Sequence, residues 1–309
     1  MERAASNAKR RARYAAVTVL LMLIAAACVP NPPVVPPGNI SGGVRPPGFN
    51  HSPPVSLNNV SYGNRIDPCT DEAYQELDVY RPSVPRAEQH GVILFLHSGG
   101  WVSGSKEYKD GKSGDSNAWA WVAQGWSVVS VDYALSCFDN GWKNSHPQAL
   151  QDVKRAIRYI KANQSSLGIN TSENLFLWGT SAGGHLAALA GMTAGQFEPT
   201  GLPSNLAAQN SKVDAVITRS GPLNFVSWKA HCQADADCNQ FLPDNNAMLS
   251  FMGAYLGCGS TASNANLDKC LPAAKTQASV STHYDANDPR STWRWGRRTG
   301  GFPRRRRTP

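Results

Sequence analysis

The residues best placed to do chemistry are Gly179-Thr180-Ser181-Ala182-Gly183, followed at once by Gly184-His185. A Gly-x-Ser-x-Gly run carries weight only where a β-strand ends as the run begins and a helix starts as it ends. There the serine sits on a sharp turn with its hydroxyl exposed at the end of a sheet. That setting is met: the apolar run Leu175-Phe176-Leu177-Trp178 stops before Gly179, and an alanine-rich, helix-prone segment, 183–192, follows. The glycines leave room for strand and helix to approach. A serine held this way is a nucleophile for acyl transfer, which also needs donors for the developing oxyanion, a base and an acid.

The donors are written in a second motif. His97-Ser98-Gly99-Gly100-Trp101 comes directly after the apolar run 92–96, and its glycines let backbone N–H groups turn inward. With the N–H of Ala182, those of Gly99 and Gly100 would make a three-donor oxyanion hole, each donor contributing about 3 kcal/mol in the transition state. A glycine-rich loop closing a strand-to-helix turn explains either motif alone, but not both in this order and spacing.

Stepping outward from the motifs, short β-prone runs at 76–80, 92–96, 127–131, 175–178 and 214–219 alternate with helical patterns, the clearest being Ala149, Val153, Ala156, Ile157 and Ile160. Near-continuous apolar strands alternating with helices predict an α/β fold: a mostly parallel central sheet with helices on both faces. Trp119, Trp121 and Trp126 are expected to pack a helix on that sheet.

On these residues the chain resembles the α/β-hydrolase fold, in the hormone-sensitive-lipase-like esterase and lipase branch whose loop after the third strand reads His-Gly-Gly-Gly. The resemblance runs from about Glu76 to Pro289, with echoes at Leu77-Asp78-Val79-Tyr80-Arg81-Pro82, Val131-Asp132-Tyr133, and His146-Pro147 with Asp152. It implies carboxylic-ester hydrolysis through an acyl-serine intermediate, with Ser181 as nucleophile and Gly99, Gly100 and Ala182 as oxyanion donors. It implies a small-molecule ester as substrate and no metal or organic cofactor. Ser98 departs from the pattern, standing where the family has glycine. A peptidase on the same fold, or a non-catalytic cell-surface binding domain, is the alternative.

The family orders its triad as serine, acid, histidine, with the acid after the next-to-last strand. After Ser181 the histidines are His185, His231 and His283 alone. His185 reads as a helix residue packing on the sheet, and His283 with Asp285 or Asp288 precedes the strand that should carry the acid. Beyond Pro289, where that strand belongs, the chain gives Arg-Ser-Thr-Trp-Arg-Trp-Gly-Arg-Arg-Thr. A changed reading frame accounts for the break. One cytosine placed before a permitted set of codons for 290–303 yields Pro-Phe-Tyr-Leu-Ala-Val-Gly-Thr-Glu-Asp-Arg-Trp-Val-Pro: an apolar strand, then a segment resembling the family's acid. The expectation is that the sheet lacks its last strands, that acid and base are lost after Pro289, and that activity is impaired.

Charge and termini set the remaining expectations. The formal net charge is +8, but eight arginines lie in 290–309 and five basic residues in the first thirteen; without both ends 17 basic residues face 21 acidic ones. A nucleic-acid partner is excluded on that balance. Residues 1–28 read as an export signal: a basic start, an apolar run 15–27 too short to span a bilayer, then Ala25-Ala26-Ala27-Cys28. The run resembles a bacterial lipoprotein signal, so Cys28 is the expected lipid anchor and the sole membrane contact, with cleavage and release as the alternative. Residues 29–59 form a proline-rich linker, 60–289 the hydrolase domain and 290–309 an aberrant arginine-rich tail. The six further cysteines fit an exported protein. Fifteen pairings are open, and short loops favour Cys232 with Cys238 and Cys258 with Cys270, leaving Cys69 for Cys137. Gly111-Lys112-Ser113 reads as a solvated loop rather than a phosphate loop, and Asp235 with Asp237 as a polar disulfide loop rather than a calcium site.

Overall fold

The computed structural model describes residues 56–107, 118–234, 246–285 and the strand backbone of 290–294. The expected leader, Cys28, most of the linker, Gly111-Lys112-Ser113, Asp235, Asp237, Asp288 and Pro289 lie outside the described residues.

In chain order the strands are β1 (Leu57–Ser61), β2 (Glu76–Tyr80), β3 (Val92–Leu96), β4 (Ser127–Val131), the short β5 (Cys137–Phe138) and β6 (Trp142–Lys143), β7 (Leu175–Thr180), β8 (Ala215–Arg219) and β9 (Arg290–Arg294). The helices are α1 (Ala118–Ala123), α2 (Gln148–Ala162), α3 (Ala182–Met192), α4 (Ser204–Ala207), α5 (Trp228–Ala234), α6 (Asn246–Leu256) and α7 (Pro272–Ala278). The main sheet has the order β1-β2-β4-β3-β7-β8-β9. β1 and β2 run antiparallel to their neighbours, and every pairing from β4 to β9 is parallel. All five strands read from the sequence are present, and the predicted mostly parallel α/β sheet is the observed one.

Burial explains why these strands need no alternation. Every residue of β3 and of β4 is buried, because helices cover both faces. On one face Leu77, Val79, Leu94, Leu96, Val129, Val131, Leu177 and Val216 pack with α2 and α3. On the other, Tyr80, Ile93, Phe95, Val128 and Trp178 pack with Val122 of α1, with Trp121 and Trp126 against them. α2 turns Ala149, Leu150, Val153, Ala156, Ile157 and Ile160 inward at helical spacing. Asp152 on that same helix is buried, which pushes its carboxyl pKa up. It accepts hydrogen bonds from Tyr74 Oη (3.0 Å), Gln75 Nε2 (2.8 Å), Ala134 N (3.0 Å) and Gln148 Nε2 (3.1 Å).

One expectation changes. The sheet was expected to stop at β8, yet Arg290–Arg294 adds β9 in register with it, Ala215 opposite Arg290 and Arg219 opposite Arg294. The segment 290–309 is therefore not tail throughout. An edge strand offers a row of unpaired N–H and C=O groups, and any chain free to extend can pair with them whatever its side chains.

Disulfides Cys69–Cys137 and Cys258–Cys270 are formed as the loop lengths favoured. Cys232 is also disulfide-bonded, and Cys238 lies outside the described residues. Among the described residues no helix is long and apolar enough to cross a membrane.

Candidate active site

Ser181 joins β7 to α3 with φ 54° and ψ −119°, a conformation that L-residues enter only under constraint. The constraint is visible on both sides of the peptide. Ser181 N–H donates to Arg219 O at 2.8 Å, and its carbonyl accepts from His185 N–H at 2.9 Å. Glycine is required around it: a Cβ on Gly179 would lie 2.2 Å from the Gly183 carbonyl oxygen, and one on Gly183 only 2.1 Å from that of Leu96. The side chain of Ser181 is only half-buried. The next N–H, that of Ala182, opens α3 and so has no acceptor within the helix, where the helix dipole favours negative charge.

The same close approach of Gly183 to Leu96 and His97 brings the second motif against the elbow. Gly99, Gly100 and Trp101 all take positive φ, 120°, 62° and 62°. Ser98 does not, so the side chain that departs from the family pattern costs nothing there. The carbonyls of this loop are held, and through the planar trans peptide each held carbonyl sends the following N–H the opposite way. Ser98 O accepts from His97 Nδ1 at 2.7 Å, which sets Gly99 N–H. Gly99 O accepts from Val102 N, Ser103 N and Ser103 Oγ at 3.1, 3.1 and 3.0 Å, which sets Gly100 N–H. Two donors are thus fixed before any ligand arrives.

Histidines near the motifs are structural in their contacts. Burial pushes His97 down to about 4, so its ring is neutral, with the proton on Nδ1. Burial pushes His185 to about 3; its Nε2 donates to Ala278 O at 2.7 Å, and Nδ1 has no partner. The His185 ring sits among Trp101, Phe225 and Tyr255. His231 lies in α5. His283 Nε2 donates to Gln277 O at 3.0 Å, and its ring meets Phe197. The elbow thus sets the Ser181 side chain beside the 97–104 loop, and among the described residues the hydrogen bonds of His97, His185 and His283 run to backbone carbonyls rather than to Ser181.

β7, β8 and β9 end level, at Thr180, Arg219 and Arg294, so the chain leaving β9 emerges on the edge that carries Ser181. In open α/β sheets that carboxyl edge is where ligands bind. Residues beyond Arg294 lie outside the described residues. Asp67, Cys69 and Cys137 cluster closely enough to suit a metal, but the two sulfurs are bonded to each other and have no thiolate to offer.

Sequence reasoning missed Phe251. Its ring, on α6, lies so close to Gly100 that a Cβ there would come within 2.8 Å of it. An aromatic residue in an apolar helix carries no local signal of such a contact. Tyr133, noted only as a family echo, also touches the site, stacking on His97 at 4.1 Å.

Known proteins share the family and the fold. The BD-FAE family model matches residues 77–258, more than half of the chain. Esterase LipC of Mycobacterium tuberculosis is 34% identical over 149 residues, covering 48% of this chain and 34% of its own length. An arylesterase of Saccharolobus solfataricus is 31% identical over 120 residues, 38% of this chain and 36% of its own. The chain spans about a third of the length of these curated relatives. Among solved structures, a truncated carbohydrate esterase from gut microbiota superposes with TM-score 0.55 at 24% identity, covering 76% of this chain and 74% of that one. Thermogutta terrifontis esterase 2 phosphoramylated by tabun gives 0.51 at 18% identity, with 79% and 72% covered. At these identities the structural likeness is one of fold. The chain belongs to the BD-FAE family, an esterase family of the α/β-hydrolase fold.

Proposed function

We propose that this chain is a carboxylic-ester hydrolase working through an acyl-Ser181 intermediate, and that within these 309 residues it lacks the acid and base for full turnover. The observation that carries the reading is the strained Ser181 elbow packed on a loop whose Ser98 and Gly99 carbonyls are both held, which fixes the N–H groups of Gly99 and Gly100. Ser181 Oγ would attack the ester carbonyl carbon, and the carbonyl oxygen, now an oxyanion, would be held by the N–H groups of Gly99, Gly100 and Ala182. Collapse of that intermediate expels the alcohol, and water then releases the acid from the serine. Each half needs a group to carry the proton. The last histidine of the sequence, His283, precedes β9, where the family places both partners later. Loss of triad members lowers turnover by about 10⁴ to 10⁶, leaving what the oxyanion hole and binding supply.

Relatives named arylesterase and carbohydrate esterase make aryl and sugar acetates the first substrates to assay. The leader and Cys28 support export with a lipid anchor. A non-catalytic surface domain on the same fold is the second reading, favoured by histidines whose hydrogen bonds, among the described residues, run to backbone carbonyls rather than to Ser181. The test is p-nitrophenyl acetate hydrolysis by the chain and by Ser181→Ala, with mass spectrometry of a fluorophosphonate adduct. Slow release that disappears in Ser181→Ala, with the adduct on Ser181, is expected; release unaffected by the substitution sinks the reading.

A further inference from the structure

We infer that the carboxyl end of β4 is the positioning device of the oxyanion loop, with Tyr133 fixing the loop where it leaves β3 and Asp132 fixing it where it ends at Lys106. This rests on the proposed role of Ser181 and its donors. Tyr133 is buried, its ring stacks on His97 at 4.1 Å with 9° between planes, and its hydroxyl donates to His97 O at 2.7 Å. Three residues on, Ser136 N–H donates to Trp101 O at 2.7 Å. At the far end Lys106 N–H donates to Asp132 Oδ1, Ser130 Oγ donates to Lys106 O at 2.8 Å, and Lys106 Nζ lies 3.8 Å from Asp132 Oδ2. The ammonium is shared with Glu76 and Asp78 of β2, at 3.6 and 3.7 Å.

The loop is thereby pinned at His97, Trp101 and Lys106 by one short stretch, 130–136. Gly99 and Gly100 lie between the first two pins. Glycine at these positions has the widest backbone freedom of any residue, so donors placed there hold their direction only if their flanks cannot move. β4 is itself buried on both faces, which makes it a rigid base for the pins. Tyr133 and Asp132 act through His97 and Lys106 and are positioning residues.

Tyr133→Phe keeps the stacking and removes the hydroxyl. Hydrogen exchange of the 309-residue chain, read by mass spectrometry, should rise about five- to tenfold over 97–104, as expected for one lost hydrogen bond, with β3 and β7 unchanged. Ser181-dependent p-nitrophenyl acetate release should fall about tenfold in kcat with KM within about twofold, since a donor out of line weakens only the transition state. Asp132→Asn, which keeps an acceptor for Lys106 N–H but loses the charge, should loosen 104–107 and leave 97–100 protected. Unchanged exchange over 97–104 in Tyr133→Phe overturns the inference, as does an equal rise across β3 and β7, or local loosening with kcat unmoved. If release proves independent of Ser181, the catalytic reading falls while the exchange pattern still decides whether the pins exist.

Discussion

The front of the sheet, β3 and β7, and its far edge, β8 and β9, use the same parallel pairing and differ in everything beyond the backbone. β3 reads Val-Ile-Leu-Phe-Leu and β7 begins Leu-Phe-Leu-Trp, buried between helix layers. β9 reads Arg-Ser-Thr-Trp-Arg in a position of the same kind. At the front, burial and hydrogen bonding specify each turn, down to a serine held at positive φ. At the edge, what is described of the strand is its ladder to β8. The Ser181 elbow and the Gly99-Gly100 loop are built where side chains fix the backbone, and the chain beyond Arg294, where the family pattern places the remaining partners, lies outside the described residues.

The largest effect should come from changing the edge alone. Inserting one cytosine between the codons for Pro289 and Arg290, with the gene's own downstream sequence, would replace β9 by an apolar strand followed by Gly-Thr-Glu-Asp. Because β7, β8 and β9 end level, that aspartate would emerge on the Ser181 edge. Turnover of p-nitrophenyl acetate should rise by about 10⁴ or more, and Ser181→Ala should abolish the gain. A stop codon or an unrelated peptide in the shifted frame, read directly from the gene, would show that the edge was never that of an active enzyme.

Next in size is the contrast in stability. Leu94, fully buried in β3, should cost about 3–5 kcal/mol on Leu94→Ala. Removing 290–309 should cost less than that in urea unfolding, because a strand held by its ladder contributes little beyond it. A deletion that costs more than Leu94→Ala would mean that the edge packs as the front does. A smaller clash tests the front itself. Gly183→Ala drives a methyl to within 2.1 Å of the Leu96 carbonyl oxygen, so it should lower stability by about 1–3 kcal/mol and slow fluorophosphonate labelling of Ser181.

The same contrast decides what could be read from the sequence. β3, β4 and β7 were legible because burial on both faces demands apolar runs, and the elbow because its close approaches demand Gly179 and Gly183. Ser181 and the glycines at 99 and 100 followed from those demands. β9 was illegible because nothing in Arg-Ser-Thr-Trp-Arg asks to be a buried strand; the unpaired edge of β8 supplies the reason. Phe251 and Tyr133 were illegible as site neighbours because their contacts join segments far apart in the chain, Gly100 to α6 and His97 to the end of β4.

The smallest expected effect is on acid stability, and it too should belong to the front. Burial holds His97 and His146 near 4 and His185 near 3 in the folded chain, against about 6.5 when exposed. Between those values the unfolded chain binds protons that the folded one refuses, so the stability these rings permit is fully present above about pH 6.5 and is lost as pH falls towards 4. Asp132 works in the opposite sense: burial raises it to about 6, so the folded chain takes up its proton first as pH falls. Asp67 and Asp152, also raised by burial, act the same way. The total slope therefore mixes signs, but the contribution of one ring can be isolated. His185→Phe places an apolar ring among Trp101, Phe225 and Tyr255 and removes one refused proton. Urea unfolding at pH 6 and pH 5 should show the variant losing about 1.2 kcal/mol less over that pH unit than the parent chain, whatever its absolute stability. Parallel slopes would mean that the ring takes up a proton inside the fold. His185 would then be open to solvent beside the elbow, and its exclusion as a base would no longer stand.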